Sequence, residues 1–202
     1  MAPHEKIVNA LVYLARQSGQ ESLNKLKAIK LLYFADRYHI RKYGRAVTND
    51  QYFGMKLGPV GSIAKDITEL SDVFEDTELA YLKSFIQRVG LHEFKVARDF
   101  DRMAFSESDI EALNFSIKYF SRFDKYALAE LSHAYPEWQK YERKLEDTTR
   151  FPMMYEDFFS DPIANDPYLK KYTEGKDFFS PISNPKALDI FISTKLLEKA
   201  WQ

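Results

Sequence analysis

Between Leu26 and Tyr43 the chain reads as a helix that is apolar almost all the way round. Leu26, Ile29, Tyr33 and Ile40 form one stripe, while Leu31, Leu32, Phe34 and Ala35 fill most of the remaining circumference. A helix without a broad polar face belongs at the centre of a fold, because any solvent-facing side would leave apolar surface in water. The periodicity sets this helix at residues 22–43, and Gly44 supplies a left-handed cap. Two ionisable side chains, Asp36 and His39, are embedded in it at a spacing of three, which places them on one helix face.

The other elements must therefore wrap around this helix. With 202 residues the chain can bury a core of its own. The 29 basic and 30 acidic residues nearly cancel, so the chain lacks the overall positive field of most nucleic-acid binders. There is no cysteine, which excludes disulfides, thiolate metal ligands and a cysteine nucleophile. The first residues carry no basic segment leading into an apolar run, and no stretch reaches the roughly 18 apolar residues of a membrane helix. The expectation is a cytoplasmic protein with no membrane insertion.

Around the central helix, residues 4–18 read as a first helix and residues 51–57 as a short strand with Phe53, Met55 and Leu57 on one face. Gly58 and Pro59 then read as the start of a third helix over 59–71, because proline suits the first helical position. A further helix is placed near 76–85, and a second strand at 92–97 that could pair with the first as a small antiparallel ribbon. Ser106-Glu107-Ser108-Asp109 has the form of a helix cap, followed by Ile110, Leu113, Ile117 and Phe120 at helical spacing. Asp124 caps the next helix, and Pro136 starts a short one bearing Trp138 and Tyr141. Beyond Leu145 the texture changes to aromatic residues punctuated by prolines, expected to lie against the core or a partner, and residues after Pro185 form a terminal helix.

Motifs that carry enzymatic chemistry are missing: no G-x-S-x-G elbow, no phosphate loop, no G-x-G-x-x-G and no H-E-x-x-H. Four dispersed histidines make a poor basis for a metal site. Asp36 beside His39 has the form of a carboxylate orienting a general base; without a nucleophile or oxyanion cradle nearby, the reading adopted is a polar pair anchoring the central helix. Gly58-Pro59-Val60-Gly61-Ser62 could be an anion nest or a tight strand-to-helix turn, and proline removes one donor from the former. His133 and Trp138 flank the Pro136 break, as an interface anchor or as core. Arg37, Arg41, Lys42 and Arg45, interleaved with Tyr38 and Tyr43, are the best candidates for phosphate contact, although most such runs are solvated helix faces.

The blocks K-x-x-K-L-L-Y-F-A-D-R-Y-H-x-x-x-Y at Lys27 to Tyr43, Thr48-x-Asp50-x-Tyr52, Lys56-x-Gly58-Pro59-Val60, Leu131-Ser132-His133 and Pro136-x-Trp138 together resemble the Panacea domain, the SocA-like antitoxin domain. The resemblance spans about residues 5–143 and implies a mainly α fold (α+β), a compact helical domain with a small strand element, expected as a two- to three-stranded antiparallel ribbon. With the change of texture after Leu145, the expected organisation is this domain over residues 1–145 and a C-terminal extension over 146–202. The resemblance also implies an antitoxin of bacteria and their prophages that neutralises a cognate protein toxin by direct contact. The alternative it carries is an adaptor that delivers the toxin to an ATP-dependent protease. Neither route needs catalysis, metal or cofactor; a small helical enzyme using Asp36 and His39 is the rival from another class. The motif residues Tyr33, Asp36, Tyr38, His39, Tyr43, Tyr52, Lys56, Gly58, Pro59, Val60, His133 and Trp138 carry over as scaffold or partner-binding positions. Nucleic acid is disfavoured as a partner, and self-association is left open.

Overall fold

The structure, a computed structural model, describes residues 1–20 and 22–200. Its first half comprises α1 (Pro3–Gln17), β1 (Ser22–Asn24), α2 (Lys25–Tyr43), β2 (Tyr52–Met55), β3 (Gly58–Gly61), α3 (Ser62–Glu69), α4 (Asp76–Phe85), β4 (Ile86–Val89) and β5 (Glu93–Val96). There follow α5 (Glu107–Phe120), α6 (Lys125–Ser132), α7 (Pro136–Gln139), β6 (Phe151–Pro152), α8 (Pro167–Thr173) and α9 (Ala187–Ala200), with short 3-10 turns between them. The fold is mainly α with two small antiparallel sheets, ordered β1-β5-β4 and β3-β2-β6. Among the described residues no helix is long and apolar enough to cross a membrane.

Every residue of α2 from Ala28 to Arg41 is buried, as its all-round apolar circumference requires. Helices α1, α5 and α6 pack along it, and α9 and the β2–β3 hairpin also touch it. The helix starts later than its periodicity suggests. Residues 22–24 are drawn off as β1 to pair with β5, and the Asn24 side chain then accepts from the Leu26 and Lys27 backbone N–H groups as the cap. At the other end Gly44 adopts φ 73°, and a Cβ there would lie 2.5 Å from the Ala187 carbonyl oxygen of α9. Helix α5 begins at the expected cap, where Ser106 and Asp109 exchange side-chain bonds with each other's backbone N–H groups.

The strands depart from the sequence reading in pairing and boundary. The expected ribbon between 51–57 and 92–97 does not form: β2 pairs with its chain neighbour β3 across the two-residue turn Lys56–Leu57, while β5 pairs with β4 and β1. Short-range closure wins because a two-residue turn orders far less chain than a long crossover. The alternation itself holds, and the structure decides which face is inward. Tyr52 and Gly54 point inward and Leu57 is 47% exposed, because the Tyr52 hydroxyl reaches Asp36 and Gly54 lies under Trp138. Finally, Gly58-Pro59-Val60 is a strand, and the helix expected from Pro59 starts at Ser62. Its N-terminal donors are capped from a distance: Asp50 accepts from the Ile63 and Ala64 backbone N–H groups at 2.9 and 2.8 Å.

The segment after Leu145 lies against the core. Phe158 packs on Tyr33 and Tyr52, while Phe179 lies beneath Phe34, Phe120 and Tyr135, and both phenylalanines are fully buried. Chain-to-chain bonds seal this packing: Met153 N–H donates to the Tyr52 carbonyl, the Tyr155 hydroxyl to the Asp50 carbonyl, and Asn184 N–H to the Arg41 carbonyl.

Candidate functional site

Asp36 and His39 share a helix face but do not bond to each other. Asp36 accepts from Val47 N–H at 2.7 Å, Thr48 N–H at 3.0 Å, the Tyr52 hydroxyl at 2.8 Å and the Thr48 hydroxyl. Burial pushes its carboxyl up, and those hydrogen bonds pull it back down. His39 Nδ1 lies 2.7 Å from the Arg45 carbonyl, an acceptor only, so Nδ1 carries the proton and donates. The Ser108 hydroxyl then donates to Nε2 at 3.0 Å. Burial lowers the imidazole to about 4, which agrees with this neutral tautomer. Both side chains tie α2 to the chain around it, Asp36 to 47–52 and His39 to Arg45 and α5.

Two further networks lie on α2. Tyr33 donates to Glu137 at 2.5 Å, and Arg37 Nη1 stands 2.5 Å from both carboxylate oxygens of that residue. The Arg37 guanidinium also stacks on Tyr135 at 4.2 Å and donates to the Ser160 carbonyl, next to Arg41, which holds the Phe158 and Ser160 carbonyls and Asp161. Tyr38, Lys42 and Tyr43 all donate to Glu111 of α5. Burial pushes that carboxyl up, but its three donors win and hold it down to about 2. The basic stretch considered for phosphate contact is thus engaged internally: Arg37 by Glu137, Arg41 by Asp161, Lys42 by Glu111 and Arg45 by Asp109.

The remaining motif residues gather at the β2–β3 hairpin. Gly58 has φ 87°, and a Cβ there would meet Ser132 Oγ at 2.1 Å and Lys30 Nζ at 2.8 Å. Lys30 is fully buried and donates to the Pro59 carbonyl at 2.6 Å. Burial drives its ammonium well below the usual lysine range. His133 stacks face to face on Trp138 at 3.7 Å, and Trp138 Nε1 donates to the Met55 carbonyl at 2.9 Å. Burial likewise brings His133 down to about 4, and its Nε2 is buried without a partner. Both rings belong to the core, which decides against the interface-anchor reading. Val60 is buried against the same core, whereas Lys56 is exposed at the turn.

The order and spacing of these anchors run from the middle of α2 to α7. The model of the family described as "Antitoxin SocA-like, Panacea domain" matches residues 29–139. The chain belongs to this family. No curated protein and no solved structure matches the chain significantly.

Within the Panacea domain the motif splits into two sets. Tyr33, Asp36, Tyr38, His39, Tyr43 and Tyr52 bind α2 to its surroundings, while Gly58, Pro59, Val60, His133 and Trp138 brace the hairpin that carries Lys56. Sequence reasoning missed Lys30, Arg37, Glu111 and Glu137 as members of these networks. For Lys30 and Arg37 a signal existed: charged residues inside an all-round apolar helix must be buried and need partners. Glu111 and Glu137 gave none, since acidic residues are usual at such positions. Among the described residues no three His, Asp or Glu side chains are grouped to hold a metal ion.

Proposed function

We propose that this protein is an antitoxin that acts in the cytoplasm and neutralises a cognate protein toxin by direct binding. Membership of the SocA-like antitoxin family carries the reading. The role is one of contact rather than catalysis. Asp36 and His39 are fully buried, and their polar atoms are taken up by Val47, Thr48, Tyr52, Arg45 and Ser108, so neither presents a free lone pair to a substrate. Material for partner contact is plentiful on the C-terminal segment: α9 leaves Leu188, Ile190, Ile192, Leu196 and Leu197 exposed, and large apolar side chains of this kind are often covered by partners.

Co-expression with the product of the adjacent reading frame tests the proposal. The neighbour should arrest growth when expressed alone, become harmless in the presence of this protein, and co-purify with it as a complex. A neighbour that is harmless alone, or that stays toxic and unbound, would falsify the reading.

A further inference from the structure

At the end of α5 away from its Ser106 cap the fold leaves two exposed cations unmatched. Lys118 stands in the last turn of the helix and Arg122 just beyond it, and neither has a carboxylate within ion-pair distance among the described residues. The helix end does not call on them. Lys27 donates to the Ser121 carbonyl there at 2.7 Å, so the negative end of the α5 dipole already has its cation. Each of the two lies instead over a neighbouring ring: Lys118 Nζ is 5.2 Å from the centre of Tyr119, and the Arg122 guanidinium 4.7 Å from that of Phe123. Such a contact steadies the side chain but leaves its charge uncompensated.

Both cations line a pocket of about 270 Å³ between the end of α5 and the chain that leaves α8. Its aromatic wall is Tyr119, Tyr172 and Phe178, with Tyr119 tilted against Phe178 at 4.7 Å between ring centres. Glu174 and Lys176 complete the charged lining and stand 3.7 Å apart, so their charges cancel. What remains is the pair of positive charges on Lys118 and Arg122. The other carboxylates of the adjoining elements do not line the pocket and are engaged: Glu130 by Lys171 and the Tyr172 hydroxyl, Asp124 by the Tyr126 and Ala127 N–H groups, and Asp177 by those of Phe179 and Ser180.

We infer that this pocket receives an acidic side chain of the toxin, whose carboxylate pairs with Lys118 and Arg122. The inference rests on the antitoxin reading above. Charge fixes the sign of the occupant: the lining offers two cations with no anion of their own, and a guanidinium bonds a carboxylate more strongly than a neutral acceptor. The aromatic wall is compatible, because ring edges carry the positive part of the quadrupole. Size fixes the scale. Small-molecule sites run from about 300 Å³ upward, whereas this pocket is smaller and suits a side chain presented by a partner. A nucleic-acid strand would need a longer run of cations along its backbone, and the chain as a whole carries a net charge of −1.

The test titrates the purified product of the adjacent reading frame against the wild-type protein, the reversed pair Lys118→Glu/Arg122→Glu, the neutral pair Lys118→Gln/Arg122→Gln, and Lys56→Glu as an exposed cation outside the pocket. Titrations run at about 50 mM and about 300 mM NaCl, because salt screens exposed charges. Wild-type affinity should fall with salt. At low salt the reversed pair should bind about tenfold or more weakly, with slower association carrying part of the loss, and the neutral pair should lose less and depend less on salt. Lys56→Glu should bind as wild type does. Melting temperatures should match wild type, since neither side chain bonds to the fold; if the reversed pair melts lower, the neutral pair carries the decision. Wild-type binding that both pairs retain overturns the pocket assignment and leaves the antitoxin reading standing. A loss that Lys56→Glu reproduces also overturns it, since a diffuse field rather than a pocket then attracts the toxin. Wild-type protein that does not bind at all overturns the antitoxin reading itself. Oligonucleotide binding or self-association that the reversed pair abolishes, with toxin affinity unchanged, assigns the pocket to another occupant and overturns the inference.

Discussion

Asp36 and Lys30 are both fully buried on α2, six residues apart, and the fold treats them in opposite ways. Asp36 has two backbone and two hydroxyl donors, drawn from a segment that begins eleven residues further along the chain. Lys30 has one carbonyl acceptor. A satisfied buried charge rigidifies and specifies the packing around it, whereas an unmatched one is a standing destabilisation. The first region is framework; the second belongs to the β2–β3 hairpin, where Lys30 holds the Pro59 carbonyl. Motif membership alone does not separate these roles, because the matched family segment contains both.

The largest expected effect comes from emptying the satisfied site. Asp36→Ala leaves four buried donors without an acceptor and should lower unfolding free energy by about 3–5 kcal/mol, read from chemical denaturation. A loss below about 1 kcal/mol would show that the network does not hold α2 in place.

Next in size is a dependence on pH. His133 is held at about 4 against an ordinary value of 6.5. As pH falls below 6.5 the unfolded chain takes up a proton that the folded chain refuses, so stability is lost progressively down to about pH 4, by roughly 2–3 kcal/mol. His39, also at about 4, adds a loss of the same sign, while Asp50, raised to about 6, opposes both. His133→Phe keeps an aromatic ring on Trp138 and should remove only its own share. Urea melts at pH 7 and pH 4.5 that give wild type and variant equal losses would contradict this account.

The smallest effect is also the sharpest test of the comparison. Lys30→Met should leave stability unchanged or raise it by up to about 2 kcal/mol at pH 7, the opposite sign to Asp36→Ala. Because folding holds Lys30 well below its ordinary 10.5, the unfolded chain binds more protons at this position over the pH range just below 10.5. Wild type therefore gains stability as pH rises towards 10.5, and the advantage of Lys30→Met should shrink over the same range. A clear destabilisation by Lys30→Met at pH 7 would place Lys30 in the framework with Asp36.

Much of this was legible in the chain. The central position of α2, the Gly44 cap, the Ser106 cap of α5 and the short helix after Pro136 follow from local rules, since each depends on residues within a few positions of one another. The strands were not legible in the same way. Alternation put Phe53, Met55 and Leu57 on one face without saying which face is inward, and the hydroxyl of Tyr52, which reaches Asp36, turned the opposite face to the core. Pro59 has the local form of a helix start, yet the helix cap comes from Asp50, and no local pattern announces a cap supplied across a hairpin.

By itself the sequence determined that one helix would be central, that Asp36 and His39 would be buried with it, and, through the order of its motif blocks, the family to which the chain belongs. Only the tertiary structure decided that those two side chains serve separate partners rather than each other, that the basic residues Arg37, Arg41 and Lys42 of α2 are engaged internally, and that Gly58, Pro59, Val60, His133 and Trp138 brace the β2–β3 turn. The reason is physical. Hydrophobic periodicity is a property of neighbouring residues, whereas the pairing of a buried polar group depends on which distant donor or acceptor folding brings within about 3 Å.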